Sequence, residues 1–186
     1  MTSITLPSRC TIALEDSTLT TSQSLLGEFD HEMAGTRKTL ERLPDGKFDF
    51  KPHEKSPTMG WMAAHIAQMT HWGTMTCTTD SVDLAAPEYQ ERPLQPKTAQ
   101  EAVAAFDKNA AGFRAVLAQT TDEQMMQPWT LRMGDKVIFT MPRVAVLRGF
   151  VLNHLIHHRA QLTVYLRMNG VPVPALYGPS ADEGNF

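Results

Sequence analysis

Apolar residues recur every three or four positions in four stretches of the chain, the spacing that places them on one face of an α-helix. Pro44-Asp45-Gly46 follows the first stretch, and this combination ends a helix. The pattern predicts a first helix from about residue 19 to residue 43, preceded by a loosely packed arm over residues 1–17. Its stripe consists of Leu26, Phe29, Met33, Thr36, Leu40 and Leu43.

The second helix is predicted to begin at Ser56-Pro57, because a serine hydroxyl can cap a helix and proline is favoured at the first helical position. We expect it to run to about Met75. Residues 78–97 contain three prolines and no helical stripe, which predicts a long irregular connection. The stripe of the second helix consists of Met62, His65, Ile66, Met69 and Trp72.

Thr98 and Glu101 have the spacing of a capping box, in which each side chain accepts a hydrogen bond from the other residue's N–H. They predict the start of a third helix, and residues 121–126 could add one short helical turn. Residues 129–133 and 136–140 flank Gly134-Asp135, a turn signal, and are predicted to form a short β-hairpin. The third stripe consists of Val103, Phe106, Ala110, Phe113 and Leu117.

The fourth helix is predicted from about Pro142 to Asn169, with Gly170 as the residue that ends it. The tail from Val171 contains three prolines and is expected to be an ordered loop. Four long amphipathic helices predict an all-α fold, a four-helix bundle with a long connection between its second and third helices and a short hairpin before the fourth. At 186 residues the chain fits a single domain with its core at about 19–183. The fourth stripe consists of Leu147, Val151, His154, His158, Leu162 and Tyr165.

Charge and cysteine content narrow the expected partners and location. The net charge is −3 and the lysines and arginines are scattered, which argues against nucleic acid or an anionic membrane surface as a partner. No stretch approaches the ~20 apolar residues that span a bilayer, and the start of the chain lacks the pattern of a secretory leader. Cys10 and Cys77 are not in a metal-binding spacing. We interpret them as free thiols in a reducing, cytoplasmic compartment.

Three histidines are the residues that most directly suggest chemistry. His154 and His158 are four residues apart on the fourth stripe, and His65 lies on the second stripe. All three imidazoles should therefore point into the bundle, where protonated rings would repel each other. A divalent cation would remove that repulsion and use all three lone pairs. Imidazole ligation suits Zn²⁺, Ni²⁺, Cu²⁺ or Fe²⁺ and leaves a coordination position open.

Plainer interpretations remain open for these residues. A pair of histidines four apart recurs by chance on helix surfaces, and His65 could be a core histidine with a hydrogen-bonded ring. His157 is an alternative ligand at the edge of the stripe, and Glu32 could approach the metal as a base, although it is interpreted as part of a solvated face. The remaining histidines, which fall off the stripes, are expected to be solvated: His31, His53 and His71.

Three segments of the sequence resemble the DinB-like family. They are Leu43 to His53 followed by Ser56-Pro57 and Gly60 to His65, then Asn153 to Leu162, and finally Asn169 to Glu183. The resemblance implies a four-helix bundle with a metal site formed by His65, His154 and His158. It also implies one nickel or zinc ion per chain and a homodimer. Related families include metal-dependent thiol transferases.

The sequence and the resemblance together favour a metal-dependent enzyme of the thiol S-transferase type that acts on a small molecule. In this hypothesis Arg159 could position a carboxylate of the thiol or substrate, although a solvated helix residue is an equal interpretation. Two alternatives remain: a metal-dependent hydrolase, and a non-catalytic dimeric bundle that binds metal or ligand.

Overall fold

The computed structural model describes residues 19–89 and 94–184 and is mostly helical. Its five helices are α1 (Thr21–Leu40), α2 (Met59–Thr78), α3 (Ala99–Leu117), the short α4 (Asp122–Met126) and α5. Helix α5 consists of three consecutive segments: Arg143–Ala145, the π-helical Val146–Asn153 and the α-helical His154–Met168. The four predicted long helices and the predicted short turn are therefore confirmed. The predicted arm over residues 1–17, and Cys10 within it, lie outside the described residues.

The fold is not all-α, because a three-stranded sheet packs beside the helices. The predicted hairpin is confirmed as β2 (Pro128–Met133) and β3 (Lys136–Pro142). The additional strand β1 (Ser81–Asp83) lies in the connection that was predicted to be irregular, and it pairs in parallel with β2. Its central Val82 is 2 % exposed and packs in a small second core with Trp129 and Leu131. The description as a four-helix bundle is therefore incomplete.

Two helix starts differ in detail from the prediction. Helix α2 is capped by Thr58 rather than Ser56, and the Thr58 side chain accepts a hydrogen bond from the N–H of Trp61. At α3, Thr98 accepts from the N–H of Glu101 as predicted. The Glu101 carboxylate, however, accepts from the N–H of Lys97 instead of that of Thr98, so only half of the capping box forms.

Helix ends also shift by a few residues. Helix α1 ends at Leu40 rather than residue 43, because the following residues form tight turns in which Leu43 donates to the carbonyl of Leu40. Helix α2 continues to Thr78, three residues beyond the predicted end. The predicted end of the last helix is confirmed, and Gly170 adopts the positive φ of 71° that favours glycine.

The stripes of the long helices form one main core. Within it, α2 and α3 approach each other closely at Gly73. A Cβ atom at this position would lie 2.3 Å from the ring of Phe113, so only glycine fits there. The ring of Phe113 also packs edge-on against Phe29 of α1, with 5.0 Å between ring centroids. This packing fixes α2, which contributes one of the three candidate histidines.

The tail from Val171 is an ordered loop, as predicted, and it folds back over α1 and α5. Ion pairs hold it in place: Asp182 pairs with Arg167 of α5, and Glu183 pairs with Arg42 after α1. Among the described residues, the helices are all too short or too polar to span a membrane.

Candidate metal centre

His65 lies in the middle of α2 and points toward α5. Its ring is half-buried and stacks on the indole of Trp61, with ring centroids 4.7 Å apart and the planes inclined by only 15°. Trp61 lies one helical turn before His65 and is itself 46 % exposed. The stack covers one face of the imidazole and restricts the orientation of the ring.

His154 and His158 lie on consecutive turns at the start of the last α-helical segment of α5. The π-helical segment ends directly before His154, and it adds a residue per turn to the helix at this point. π-Helical segments of this kind occur often at functional sites. Both rings are half-buried and face α2, as predicted from the stripe.

The three imidazoles converge on one point. Nε2 of His154 lies 2.8 Å from Nε2 of His158 and 3.4 Å from Nε2 of His65. One nitrogen from each ring lies within 4.8 Å of the other two. Two nitrogen ligands of a tetrahedral zinc ion at ~2.0–2.1 Å would be about 3.4 Å apart. The observed spacing therefore fits a common metal ion.

The other nitrogen of two of these rings is hydrogen-bonded, and this determines what faces the centre. Nδ1 of His158 lies 2.8 Å from Oε1 of Gln161, an acceptor, so Nδ1 carries the proton. A hydrogen bond between the His154 ring and the backbone of Phe150 opposes the lowering of the His154 pKa by burial. Nε2 of His154 and Nε2 of His158 lie 2.8 Å apart, a distance at which at least one of them must present a lone pair to the other. With the proton on its Nδ1, His158 offers its Nε2 lone pair to a cation, so the donor set fits a divalent metal.

The electrostatics keep all three imidazoles neutral, which is the form that binds metal. Burial lowers the pKa of His65 to about 4, with help from the charges that His158 and His154 would carry. Burial also lowers the pKa of His154 and of His158. The neighbouring His157 contributes to both of these shifts.

The other predicted candidates lie outside this group. His157 is exposed and lies edge-on to the His158 ring, with centroids 5.0 Å apart, so it stands beside the centre. Among the described residues the converging group consists of His65, His154 and His158, without a carboxylate from Glu32. The histidines predicted to be solvated are exposed: His31, His53 and His71.

A cavity of about 430 Å³ opens beside His158. We call it the His158 chamber. His158 and Gln161 form part of its wall on α5, and Trp61 forms part of its wall on α2. Its remaining lining is largely apolar and consists of Pro52, Ser56, Pro57, Met62, Val164 and Tyr165. A ligand of the metal would therefore extend into a largely apolar space.

The sequence analysis missed a buried polar cluster on the opposite face of α5. Arg159 is 2 % exposed and forms an ion pair of 2.6 Å with Glu32 of α1, which is 5 % exposed. The hydroxyl of Tyr177 in the tail donates to the Glu32 carboxylate and accepts from Arg159. Arg159 is thus neither solvated nor available to position a substrate. The sequence contained an indication that Glu32 is buried, because it lies three residues after Phe29, a residue of the first stripe.

Comparisons with known proteins show which family the chain belongs to. The model of the DinB family matches residues 16–185. The uncharacterized protein YrdA of Bacillus subtilis strain 168 is 29 % identical over 164 residues, which are 88 % of this chain and 92 % of YrdA. The crystal structure of a DinB-like protein from Bacillus cereus ATCC 10987 has a TM-score of 0.63 at 25 % identity, covering 83 % of this chain and 97 % of that one. A DinB-like protein of Bacillus subtilis, YjoA, has a TM-score of 0.61 at 20 % identity, covering 80 % and 95 %, and shows the same fold. This chain is a member of the DinB family.

Proposed function

We propose that this protein is a metal-dependent enzyme that transfers a low-molecular-weight thiol to an electrophilic small molecule. The observation that carries the proposal is the convergence of three neutral imidazoles, one of which, His158, lines the His158 chamber. Three nitrogen ligands leave a coordination position for an exogenous group, as in catalytic rather than structural zinc sites.

A divalent ion such as zinc or nickel would lower the pKa of a bound thiol and so supply a thiolate near neutral pH. The residues of the chain would hold this arrangement in place. Gln161 orients the His158 ring by accepting a hydrogen bond from Nδ1 of His158. The backbone of Phe150 forms a hydrogen bond with the His154 ring. Trp61 restricts the ring of His65 by stacking on it.

The transfer itself needs little else from the protein. The thiol loses its proton to solvent, the sulfur forms a bond to the electrophilic carbon, and the leaving group departs with the electron pair of the bond that breaks. The largely apolar wall of the His158 chamber would hold the electrophile and limit its exposure to water.

The pairing of Glu32 with Arg159 favours thiol transfer over hydrolysis. A bound metal would lower the pKa of water as well, but general-base assistance to hydrolysis would need a group such as Glu32 near the centre. Its carboxylate is instead paired with Arg159 and accepts a hydrogen bond from Tyr177. A thiolate is a strong nucleophile without such a base.

The test is thiol conjugation by protein loaded with zinc or nickel. Glutathione and L-cysteine would be supplied with monochlorobimane, and the fluorescent conjugate would be followed over time. We expect turnover by the wild type and by the control His157→Ala, and at least a tenfold loss in His158→Ala. Equal rates in His158→Ala and wild type, or no conjugation above the uncatalysed rate with either thiol, would contradict the proposal.

If the metal were instead structural, chelation would unfold the protein. Circular dichroism of chelated protein separates the two cases. A retained helical spectrum with lost conjugation supports catalysis, and loss of the helical spectrum supports a structural ion.

A further inference from the structure

A second cavity, of about 270 Å³, lies on another side of Trp61. We call it the Lys97 chamber. It is formed by the loop after α1, the start of α2 and the segment 94–97 before α3. Phe48 is its buried apolar lining residue, while Asp49 and Lys97 give it a carboxylate and an ammonium group, which are not among the lining groups of the His158 chamber.

Trp61 is a wall of both chambers. Its indole stacks on His65 and stands edge-on to His158, with ring centroids 6.2 Å apart. Within the part of the chain that the structure describes, the indole N–H of Trp61 makes no hydrogen bond, whereas that of Trp129 donates to Thr79. An unused donor at the boundary of two cavities is available to a ligand that passes from one to the other.

The Lys97 chamber carries two unpaired charges of opposite sign. Asp49 and Lys97 are both exposed, and their side chains form no ion pair or hydrogen bond with any residue that the structure describes. Ion pairs among the described residues involve arginines such as Arg37 and Arg114, and what distinguishes Lys97 is that it lines a cavity together with an exposed carboxylate. An unpaired carboxylate and an unpaired ammonium on one cavity are complementary to a zwitterion.

The position of the chamber sets the shape of such a ligand. Trp61 lines the chamber and stacks on His65, so a group that contacts the outer face of the indole is separated from the His65 ring by this stack. Two successive van der Waals contacts of ~4 Å make this separation roughly 8 Å. A single amino acid is too short to bridge it, while a short peptide is long enough.

We infer that the Lys97 chamber is a subsite for the α-amino-acid end of a peptide-like thiol, with Asp49 binding its ammonium group and Lys97 its carboxylate. This inference rests on the proposed function, because it places the sulfur at the three histidines. Trp61 separates the two ends of the ligand and determines the distance between them.

Glutathione and two analogues, each of which lacks one of its charges, test the inference. Glutaryl-cysteinylglycine lacks the ammonium group, and 4-aminobutyryl-cysteinylglycine lacks the α-carboxylate. Binding to the cobalt-loaded protein would be measured from the thiolate-to-cobalt absorption band. We expect glutathione to bind about fivefold more tightly than either analogue, the gain typical of an exposed charge pair.

Variants assign each charge to its partner. Asp49→Asn should abolish the preference of glutathione over the glutaryl peptide and leave its preference over the aminobutyryl peptide. Lys97→Gln should do the reverse. Lys47 is an exposed lysine outside the chamber, and Lys47→Gln changes the net charge by the same amount as Lys97→Gln. It should alter neither preference. Equal affinities of the three peptides, with the absorption band present, would overturn the inference and leave the proposed function standing.

A ligand without sulfur separates this inference from the proposed function. Ophthalmate, which has a methyl group in place of the glutathione thiol, would be titrated by calorimetry. Binding that Asp49→Asn and Lys97→Gln weaken would support the subsite even if no thiolate band forms with any peptide. No detectable ophthalmate binding in the absence of a thiolate band would overturn the inference together with the proposed function.

Discussion

The Nε2 atoms of His154 and His158 lie 2.8 Å apart, and Nδ1 of His158 donates a hydrogen bond to Gln161. Nε2 of His158 therefore presents a lone pair to a half-buried site next to a third imidazole, His65. Three neutral imidazoles at this spacing can bind one divalent cation through their lone pairs.

The first prediction concerns the pH dependence of metal-free stability. The pKa of His65 falls from 6.5 in the unfolded chain to about 4 in the folded protein. Between these values the unfolded chain binds a proton that the folded state excludes, so the free energy of unfolding decreases as pH falls from 6.5 to 4. The contribution should be on the order of 1 kcal/mol, since solvent reaches the half-buried ring.

The free energy of unfolding would be measured by urea denaturation at pH 7 and pH 4.5, after a chelator has removed any metal. Wild type would be compared with His65→Gln. Other groups that titrate in this range act in both proteins, so the difference between them isolates His65. Identical losses of stability in the two proteins would show that the His65 imidazole is protonated in the folded state.

The second prediction concerns Gln161, which accepts the hydrogen bond from Nδ1 of His158. Gln161→Ala should weaken zinc binding about 10- to 100-fold, because the ring loses its fixed orientation and tautomer. Gln161→Glu keeps an acceptor and should restore most of the affinity. Competition with a chromogenic chelator measures both. Wild-type affinity in Gln161→Ala would show that the His158 ring is oriented by other contacts.

The third prediction concerns the buried ion pair between Glu32 and Arg159. Glu32→Ala leaves a buried guanidinium without its partner and should lower the free energy of unfolding by about 3–5 kcal/mol. Asp30→Ala on the same helix breaks the exposed pair with Arg114 and should cost less than about 1 kcal/mol. Urea denaturation compares the two. Similar small losses in both variants would mean that Arg159 finds solvent when Glu32 is removed.

The fourth prediction uses two glycines in helices. Gly73→Ala would place a methyl group against the Phe113 ring and should destabilise the protein by about 1–3 kcal/mol or more. Gly27→Ala in α1 meets no atom within 4 Å and should raise stability by up to about 1 kcal/mol through helix propensity. Thermal unfolding of both variants gives the sign of each change. A stabilised Gly73→Ala would show that α2 and α3 can move apart without cost.

Periodicity predicted the helices because each long helix buries one continuous face. It placed His65, His154 and His158 on buried faces, and the structure confirms that they meet. Strand β1 escaped prediction because three residues, with only Val82 buried, are too few to establish an alternating pattern. The cap at Thr58 was missed because Ser56-Pro57 two residues earlier has the same chemistry, and tertiary contacts decide between them.

Buried charges show a different limit of the sequence. Glu32 and Arg159 each lie one position from a stripe residue, and a charged residue there is normally assigned to the solvated face. Their burial depends on a pairing across 127 residues and on the Tyr177 hydroxyl from the tail. Local patterns contain no information on such a pairing. The two chambers could not be predicted from the sequence either. Trp61 lines both of them only when the loop after α1 and the segment before α3 are in place.

The most direct test of the account is the metal content of the purified, untagged protein, measured by inductively coupled plasma mass spectrometry. Wild type would be compared with His154→Ala and with His157→Ala, whose exposed ring lies beside the centre without joining it. We predict about one zinc or nickel ion per chain in wild type and His157→Ala, and almost none in His154→Ala. Wild-type protein without metal after reloading, or His154→Ala with the same content as wild type, would contradict the assignment of the three histidines as a metal site.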